Sequence, residues 1–391
     1  MGSYSELTLA GYPICRAKNS YFEDVVKLIF LPDDFVEEKR PNSSRNILIW
    51  GDAYINDNND YLFQGFVKSA KICKERLQIF GASLKRARND FNSAKKIAKE
   101  SYGYSFSIEK VSFTNYIKEV NYILKNKIIN YDELNTNLRE SLVANELCVI
   151  GQSTFDYLYI LIGLLNDEDI IEYNLTEVIT GGWVKKLEAK NIEIEKIIVL
   201  TEGKSDTEFI TASIKLLYPY LHNYYQFIAF DEYSVKLESN ASALVRLVIS
   251  FAASNIKHPI IALFDNDTTG MMEMGRLLKE SLPINIKILR LPDLKLAIRY
   301  PTLGPTGIKK MNINGLACGI ELYLGEDVLK KAGKLIPVLW TGYNEYKKLY
   351  QGEISDKKYV HEKFKEKIKK GNTSNMQEMN ALLKTIFNSF Q

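Results

Sequence analysis

One stretch of this 391-residue chain decides its fold: Ile197-Ile198-Val199-Leu200-Thr201-Glu202-Gly203-Lys204-Ser205-Asp206. It begins with four apolar residues, three of them β-branched, and charged residues stand close by on both sides. Such a run is typical of a short strand that is buried on both faces of a parallel sheet. Ser205, with Glu208 three residues later, has the pattern of a helix N-cap with a capping box. The stretch therefore predicts a strand followed directly by a helix that continues to about Leu217.

A second stretch has the same organisation, since Pro259-Ile260-Ile261-Ala262-Leu263-Phe264 is followed by Asp265-Asn266-Asp267-Thr268-Thr269-Gly270. Apolar periodicity predicts further strands over 227–230 and 284–289, and further helices over 242–253 and 271–281. Strands and helices thus alternate along this part of the chain. That order is typical of an α/β fold in which helices cover both faces of a parallel sheet.

Four carboxylates follow the two strands that the sequence defines best. Glu202 comes directly after the first strand, Asp206 lies about one helical turn beyond it, and Asp265 and Asp267 follow the later strand. In open α/β sheets ligands bind at the carboxyl ends of the strands, so these side chains are expected to meet at one edge. Clustered carboxylates repel one another unless a cation neutralises them, and their oxygens suit Mg²⁺ or Mn²⁺. The alternative is helix capping by the aspartates together with ordinary surface charge.

The same residues carry a family resemblance. The stretch 197–206, together with Leu263-Phe264-Asp265-Asn266-Asp267, closely resembles the Toprim domain. Topoisomerases, bacterial primases and overcoming-lysogenization-defect nucleases share that domain, a Rossmann-like parallel sheet flanked by helices. The resemblance implies that Glu202 acts as a general acid/base or metal ligand and that Asp265 and Asp267 hold the metal. It also implies that Asp206 joins the site, as the corresponding aspartate does in nuclease branches.

The resemblance leads to further candidates. Nuclease branches often have another acidic residue downstream, and Glu321, in the segment Gly319-Ile320-Glu321-Leu322-Tyr323-Leu324, is the first candidate for a fifth catalytic acid. The alternative for Glu321 is an ordinary exposed or capping glutamate. Candidates for contacts with phosphate or nucleic acid are the basic residues Lys204, Lys295, Arg299, Lys309 and Lys310. A cation of this kind stabilises the charge that develops on a phosphate in the transition state.

The beginning of the chain resembles a second family. Met1-Gly2-Ser3-Tyr4, with Gly11-Tyr12-Pro13, is similar to the start of the N-terminal domain that bacteria fuse to either HEPN or Toprim modules. Proteins of this kind are associated with anti-phage defence. A HEPN ribonuclease needs an Arg followed four to six residues later by a His, and no His in this sequence has an Arg at that distance. The resemblance therefore assigns the chemistry to the Toprim part.

We predict three regions. Residues 1–190 form a HEPN/Toprim-associated, mainly helical α+β domain, residues 191–300 form the Toprim core, and residues 301–391 form a mostly helical extension that completes the site. Within the first region the apolar spacing predicts a short strand over 47–50 and helices over 65–100, 109–126, 135–148 and 151–165.

Composition excludes several classes of protein. The net charge is only +3, so any contact with nucleic acid depends on local patches. The four cysteines are far apart, which argues against a zinc ribbon and a disulfide framework, and each of the three histidines is expected to be an ordinary surface or core residue. The sequence has no signal peptide pattern, no apolar run long enough for a membrane span and no phosphate-binding GxxxxGK[ST] loop. A cytoplasmic protein with reduced thiols is expected.

The sequence thus favours a metal-dependent endonuclease that hydrolyses DNA or RNA, in the role of an anti-phage defence effector. The chain is short for a topoisomerase and lacks the zinc-binding domain that primases usually carry. If the protein works with an ATPase, that ATPase is a separate chain; a homo-oligomer is the other expected assembly. The alternative function is a non-catalytic subunit of a defence complex that binds nucleic acid or a partner protein.

Overall fold

The computed structural model describes residues 2–54, 56–100, 107–130, 137–228, 240–345 and 347–391. The chain divides into two compact units, Met1–Ile194 with Gln391, and Glu195–Phe390. The division lies four residues beyond the predicted boundary at 190, and the predicted regions 191–300 and 301–391 fall in one unit. No helix in the described ranges is both long and apolar enough to cross a lipid bilayer.

The N-terminal unit contains a five-stranded antiparallel sheet with the order β2-β1-β5-β4-β3. Its strands are β1 (Tyr4–Leu9), β2 (Tyr12–Lys18), β3 (Phe35–Pro41), β4 (Asp60–Ser69) and β5 (Ile170–Asn174). Its helices are α1 (Glu23–Ile29), α2 (Ile47–Trp50), α3 (Ala70–Ile79), α4 (Leu84–Lys99), α5 (Phe113–Asn126), α6 (Leu138–Ala144), α7 (Thr154–Gly163), α8 (Thr176–Thr180) and α9 (Lys186–Lys190). Side chains alternate along a strand, so Leu7, Leu9 and Ile171 share one face of the sheet and join the same apolar core as helix α7.

Two predictions for this unit are wrong. Residues 47–50 form a helix instead of a strand, because Asn46 is a good N-cap and its side chain accepts a hydrogen bond from the N–H of Leu48. The predicted helix over 65–100 begins too early, since 65–69 belong to strand β4. The β structure is also larger than the short element that was expected, because the sheet joins strands from both ends of the unit.

The C-terminal unit contains the predicted parallel sheet, in the order β10-β8-β6-β7. The strands of this sheet are β6 (Ile197–Thr201), β7 (Tyr225–Phe227), β8 (Ile260–Phe264) and β10 (Ile286–Arg290). The short strand β9 (Asn266–Asp267) follows β8 but pairs with a later strand outside this sheet. The sheet is accompanied by α10 (Lys204–Leu217), α11 (Pro219–His222), α12 (Ala241–Ala253) and α13 (Thr268–Leu277). Every residue of β8 is buried, which explains its uninterrupted apolar sequence. An α/β fold is thereby confirmed for this part of the chain.

Two details of this region differ from the predictions. The N-cap of α10 is Gly203 rather than Ser205, because the Asp206 side chain already accepts the free N–H at the start of the helix. Strand β7 ends at Phe227, and the predicted strand residues 229–230 lie outside the described residues.

The prediction that 301–391 is mostly helical is wrong. Besides α14 (Lys357–Lys369) and α15 (Gln377–Phe387), the region contributes a four-stranded mixed sheet in the order β12-β11-β16-β17. The strands from 300 onward are β11 (Tyr300–Gly304), β12 (Gly307–Met311), β13 (Ala317–Cys318), β14 (Lys330–Lys331), β15 (Lys334–Leu335), β16 (Val338–Asn344) and β17 (Leu349–Ile354). All of β12 is exposed and β16 contains a bulge, so neither strand shows the alternation of apolar and polar residues that identifies strands in a sequence.

Candidate active site

Glu202 directly follows the carboxyl end of β6, which is an interior strand of the parallel sheet. Its Oε1 accepts a hydrogen bond of 2.8 Å from the backbone N–H of Asp265, just beyond the end of the neighbouring strand β8. Gly270 packs against this pair, since a Cβ at position 270 would lie 2.5 Å from the Asp265 carbonyl oxygen and 2.9 Å from Glu202 Oε1. Any side chain at 270 would therefore displace the Glu202 carboxylate or the backbone beside it.

Asp206 extends from the first turn of α10 into the same region. Its Oδ2 accepts a hydrogen bond of 2.9 Å from the backbone N–H of Gly203, which satisfies a free donor at the start of the helix. The Asp206 side chain is buried. Asp206 is therefore a capping residue, as the alternative interpretation predicts, and its second oxygen remains a possible ligand atom.

The two aspartates after β8 have different surroundings. Asp267 caps α13: its Oδ1 accepts the N–H of Gly270 at 2.7 Å, and its Oδ2 accepts a 2.6 Å hydrogen bond from Nε2 of Gln351. No hydrogen bond or ion pair joins the Asp265 carboxylate to the residues that the structure describes. Asp265 is therefore the carboxylate with the most unused capacity to bind a cation.

Glu321 reaches the site through a strand pairing that the sequence does not reveal. It lies in the short 3₁₀ helix Ile320–Tyr323, directly after β13, and β13 pairs with the aspartate strand β9. A Cβ at Gly319 would lie 2.9 Å from Glu321 Oε2 and 3.7 Å from Asp265 Oδ2, so these two carboxylates stand on either side of Gly319. The predicted fifth acid thus lies beside the aspartate pair.

One cleft of about 370 Å³ is lined by all five predicted acids: Glu202, Asp206, Asp265, Asp267 and Glu321. The acids come from the ends of β6 and β8, from the start of α10 and from the 3₁₀ helix, as the rule for open α/β sheets leads one to expect. Asn240, Gln351, Glu353 and Lys357 also line the cleft. The structure therefore brings together residues that are more than a hundred positions apart in the sequence.

Three of the acids bind protons unusually strongly. Burial, together with the nearby Asp267 and Asp206 carboxylates, raises the pKa of Glu202 to about 8, although the Asp265 N–H opposes the shift. Burial and Glu321 raise the pKa of Asp206 to about 7. Burial and the four other acids of the cleft raise the pKa of Asp265 well above its usual range. The cluster carries more acidic groups than its surroundings can keep ionised near pH 7.

Glu321 behaves in the opposite way. Burial alone would raise its pKa, but a hydrogen bond with His361 and the charge of Lys357 produce a net lowering. His361 Nε2 and Glu321 Oε1 are 2.9 Å apart, and the edge of the imidazole packs on Phe209. The sequence indicates a basic helix face that begins at Lys357, but it does not connect Lys357 or His361 with the acids, because only tertiary packing brings helix α14 to them.

The predicted basic contacts do not line the cleft. Lys204 is exposed at the start of α10, Lys295 and Arg299 are exposed near a short 3₁₀ helix, and Lys309 and Lys310 are exposed on β12. These five residues remain predictions as contacts for nucleic acid. Among the described residues, Lys357 is the basic side chain that lines the cleft; it is exposed and forms an ion pair of 2.8 Å with Glu353.

The donor set fits a hard divalent cation in chemistry. Mg²⁺ and Mn²⁺ prefer carboxylate oxygens, and a bound cation would compensate for the burial and the repulsion that raise the three pKa values. Within the described ranges, no three Asp, Glu, His or Cys side chains are already arranged as a closed metal site. Glu202, Asp265 and Glu321 or Asp206 would have to turn their oxygens toward an ion.

Comparison with known families finds one match. Residues 1–198, which are half of the chain, match the family described as HEPN/Toprim N-terminal domain 1. No curated protein and no solved structure shows significant similarity to the chain. The match covers the N-terminal unit and ends within strand β6, before the first of the five acids.

Proposed function

The chain belongs to the HEPN/Toprim N-terminal domain 1 family, and on that premise we propose that it is a Toprim-type, metal-dependent nuclease. The proposed reaction is hydrolysis of phosphodiester bonds in DNA or RNA with Mg²⁺ or Mn²⁺, in the role of an anti-phage defence effector. The family description itself suggests a nuclease-associated function. The spacing of Arg and His in this chain does not fit HEPN chemistry, which leaves the Toprim alternative.

The observation that carries the proposal is the concentration of acids in one cleft. Five carboxylates converge at the carboxyl ends of parallel strands, and the first three share raised pKa values. Unpaired buried acids destabilise a fold, so such a cluster is expected where a ligand compensates for it. A cation bound by carboxylates is the ligand that satisfies this charge most directly.

In the proposed reaction an oxygen of water forms a bond to phosphorus while the bond to the leaving oxygen breaks. A divalent cation, when bound, polarises a phosphoryl oxygen and lowers the pKa of the attacking water. We assign proton movement to Glu202, whose pKa of about 8 suits a group that gives a proton to the leaving oxygen or takes one from water. Asp265, which accepts no hydrogen bond from the described residues, is the foremost proposed ligand.

Lys357 is the cation that we propose to face the phosphate. It lines the acid cleft, and its charge is retained because the ammonium is next to Glu321, Glu353 and Asp265. A lysine in this position would stabilise negative charge that develops on the transferred phosphate. Nucleic acid is thus the proposed partner, and a separate ATPase chain or a second copy of this chain remains a prediction from the resemblance.

A second function is favoured by a specific observation. Asp206 and Asp267 both serve as helix caps, and Asp267 uses both oxygens in hydrogen bonds within the protein. An acid cleft of that kind is compatible with a non-catalytic subunit of a defence complex that binds nucleic acid or a partner. The two functions differ in whether the cleft supports chemistry.

The test is cleavage by the purified full-length protein. Circular duplex DNA, single-stranded DNA and structured and unstructured RNA are incubated with Mg²⁺, Mn²⁺ or EDTA. We expect metal-dependent cleavage of at least one substrate, and a loss of more than about a hundredfold in Asp265→Asn, since even residues that only support metal ligands contribute about 10–100-fold.

The matched control is Glu280→Gln, which removes an exposed acid from the same unit outside the cleft. This variant is expected to cleave at the wild-type rate. Absence of cleavage of every substrate with either metal, or equal activity of wild type and Asp265→Asn, would overturn the nuclease proposal in favour of the non-catalytic function.

A further inference from the structure

The hairpin formed by β16 and β17 displays three aromatic rings side by side: Trp340, Tyr343 and Tyr350, which we call the aromatic ladder. The ring centroids of Tyr343 and Tyr350 are 5.0 Å apart, and those of Trp340 and Tyr350 are 5.6 Å apart. Both tyrosines are about half exposed, at 51% each. Tyr343 and Tyr350 thus form an exposed aromatic pair, with the partly buried Trp340 packed beside it.

The backbone register of the hairpin creates the ladder. Tyr343 pairs directly with Tyr350 across the two strands, so both side chains lie on the same face. A bulge at Thr341 inserts one residue, which brings Trp340 to that face as well. Trp340 pairs with Gly352, and a Cβ at 352 would lie 3.0 Å from the indole ring, so glycine leaves the space that the indole occupies.

The sheet that carries the aromatic ladder also carries exposed lysines. Lys309 of β12 pairs with Thr302, which pairs with Val338 of β16, so Lys309 belongs to the same face of the sheet as the ladder. Lys348, in the turn between β16 and β17, is exposed. Aromatic rings interspersed with cations form the stacking surface that proteins use for unpaired bases and their phosphates.

The hairpin is also tied to the acid cleft. The Thr268 hydroxyl donates to the Tyr350 carbonyl at 2.7 Å, and Gln351, the next residue, donates to Asp267 at 2.6 Å. Tyr350 and Gln351 are consecutive on a strand, so the ladder lies on one face of the hairpin and the cleft residue Gln351 on the other. Nucleic acid bound to the ladder would therefore contact the same hairpin that supplies Gln351 to the acid cleft.

From these contacts we propose that the aromatic ladder binds unpaired bases, so that the substrate of the acid cleft is single-stranded nucleic acid. The bases of a duplex are already stacked on one another and present only their edges, whereas an unpaired base offers a face to an aromatic ring. The assignment of a substrate rests on the proposed nuclease function, but the binding of unpaired bases by the ladder does not.

The test is binding of the full-length protein to fluorescein-labelled oligonucleotides in EDTA, measured by fluorescence anisotropy. The probes are an unstructured oligothymidylate, its RNA counterpart and a duplex of the same length. We expect Tyr343→Ala/Tyr350→Ala to bind the single strands about fivefold or more weakly, the lower end of what loss of a stacked base causes, while duplex binding changes little.

Two further variants make the result specific. Tyr343→Phe/Tyr350→Phe keeps the rings and should bind as the wild type does, which separates stacking from the hydroxyl groups. Tyr122→Ala, at an exposed tyrosine of the N-terminal unit, should leave binding unchanged. The melting temperature of each variant verifies that the hairpin substitutions leave the fold intact.

Unchanged binding of single strands by the double alanine variant would overturn the proposal, as would an equal loss for the duplex. The failure of the nuclease proposal would look different. In that case Asp265→Asn and wild type would bind single strands equally, the ladder variants would bind weakly, and no protein would cleave.

Discussion

Buried acids are treated differently in the two units. In the N-terminal unit Asp34 is buried and receives an ion pair from Lys68 at 2.7 Å, a second ion pair from the buried Arg76, and the N–H of Leu31. In the C-terminal unit four other carboxylates act on Asp265, and no ion pair joins the Asp265 carboxylate to the described residues. The first arrangement neutralises its charge within the fold, whereas the second leaves a negative charge that only a proton or a ligand can remove.

We interpret this difference as one between structural acids and the acids that we propose to be functional. A buried acid with complete partners stabilises a packing arrangement once it has formed, and the loss of a partner is costly. A buried cluster of like charges destabilises the fold in the absence of a ligand, and its residues take up protons. Burial of a carboxylate alone is therefore weak evidence of function, whereas the sign of the charges on neighbouring side chains is much stronger evidence.

The largest expected loss of stability comes from removal of the cation that pairs with the buried Asp34. Arg76→Met removes the guanidinium from Asp34 and leaves a buried carboxylate with one cation fewer. We expect the free energy of unfolding of the N-terminal unit to fall by about 3–5 kcal/mol. Urea denaturation followed by circular dichroism measures it; a change below about 1 kcal/mol would show that Asp34 is not neutralised by this pair.

A smaller effect on stability is expected in the acid cleft, where ionisation of the acids destabilises the fold instead of stabilising it. The folded-state pKa values of Glu202 and Asp206, about 8 and about 7, lie above the usual 4.5 and 3.8. Between these limits the folded protein binds more protons than the unfolded chain. The stability that these two acids contribute is therefore complete below about pH 4 and is lost as the pH rises toward 8.

The corresponding measurement is the melting temperature without metal at a series of pH values. It should fall between pH 5 and pH 8, less steeply in Glu202→Gln, and Mg²⁺ should restore more of it at pH 8 than at pH 5 because protons and metal compete for the same oxygens. A melting temperature that is flat over this range, or equal rescue at both pH values, would contradict the pKa assignment.

The smallest effect on stability is expected at Glu6, a buried acid of the N-terminal unit that lacks the close ion pairs of Asp34. Glu6 is buried, its Oε1 accepts no hydrogen bond from the described residues, and its nearest cation, Arg16, is 3.5 Å away. Burial raises its pKa to about 7, with Arg16 opposing the shift. Glu6→Gln should therefore stabilise the protein by about 2 kcal/mol more at pH 8.5, where the native carboxylate is charged, than at pH 5.5, where it is mostly protonated.

Comparison of thermal unfolding at the two pH values measures this difference directly. Equal effects of Glu6→Gln at pH 5.5 and pH 8.5 would mean that Glu6 is ionised in the folded protein throughout that range. Glu6 would then resemble Asp34, which has ion-pair partners, more than it resembles the acids of the cleft.

The sequence was most informative where structure depends on local pattern. The buried strands β6 and β8 have continuous apolar runs, so the α/β sheet and the position of Glu202, Asp265 and Asp267 at its edge were predictable. Glu321 was predictable only through the family resemblance, because it reaches the cleft through the two-residue pairing of β13 with β9.

Other features depend on contacts that leave no local pattern. His361 and Lys357 lie on a helix whose lysines have the appearance of a solvated face, and their role depends on which element that helix packs against. The exposed strand β12 and the bulged strand β16 lack alternation, so the sheet after residue 300 was missed. Lys295, Arg299, Lys309 and Lys310 were chosen by position in the sequence, which does not determine the direction of a side chain.

We propose that the acid cleft binds protons when no cation is bound and releases them when Mg²⁺ or Mn²⁺ binds. Calorimetric titration of the full-length protein with Mn²⁺ at pH 6.5, in two buffers of different ionisation enthalpy, counts the protons released per ion bound. We expect Mn²⁺ to bind with release of about one proton or more, and we expect Asp265→Asn to lose that release. Absence of binding, or binding with no proton release, would contradict it.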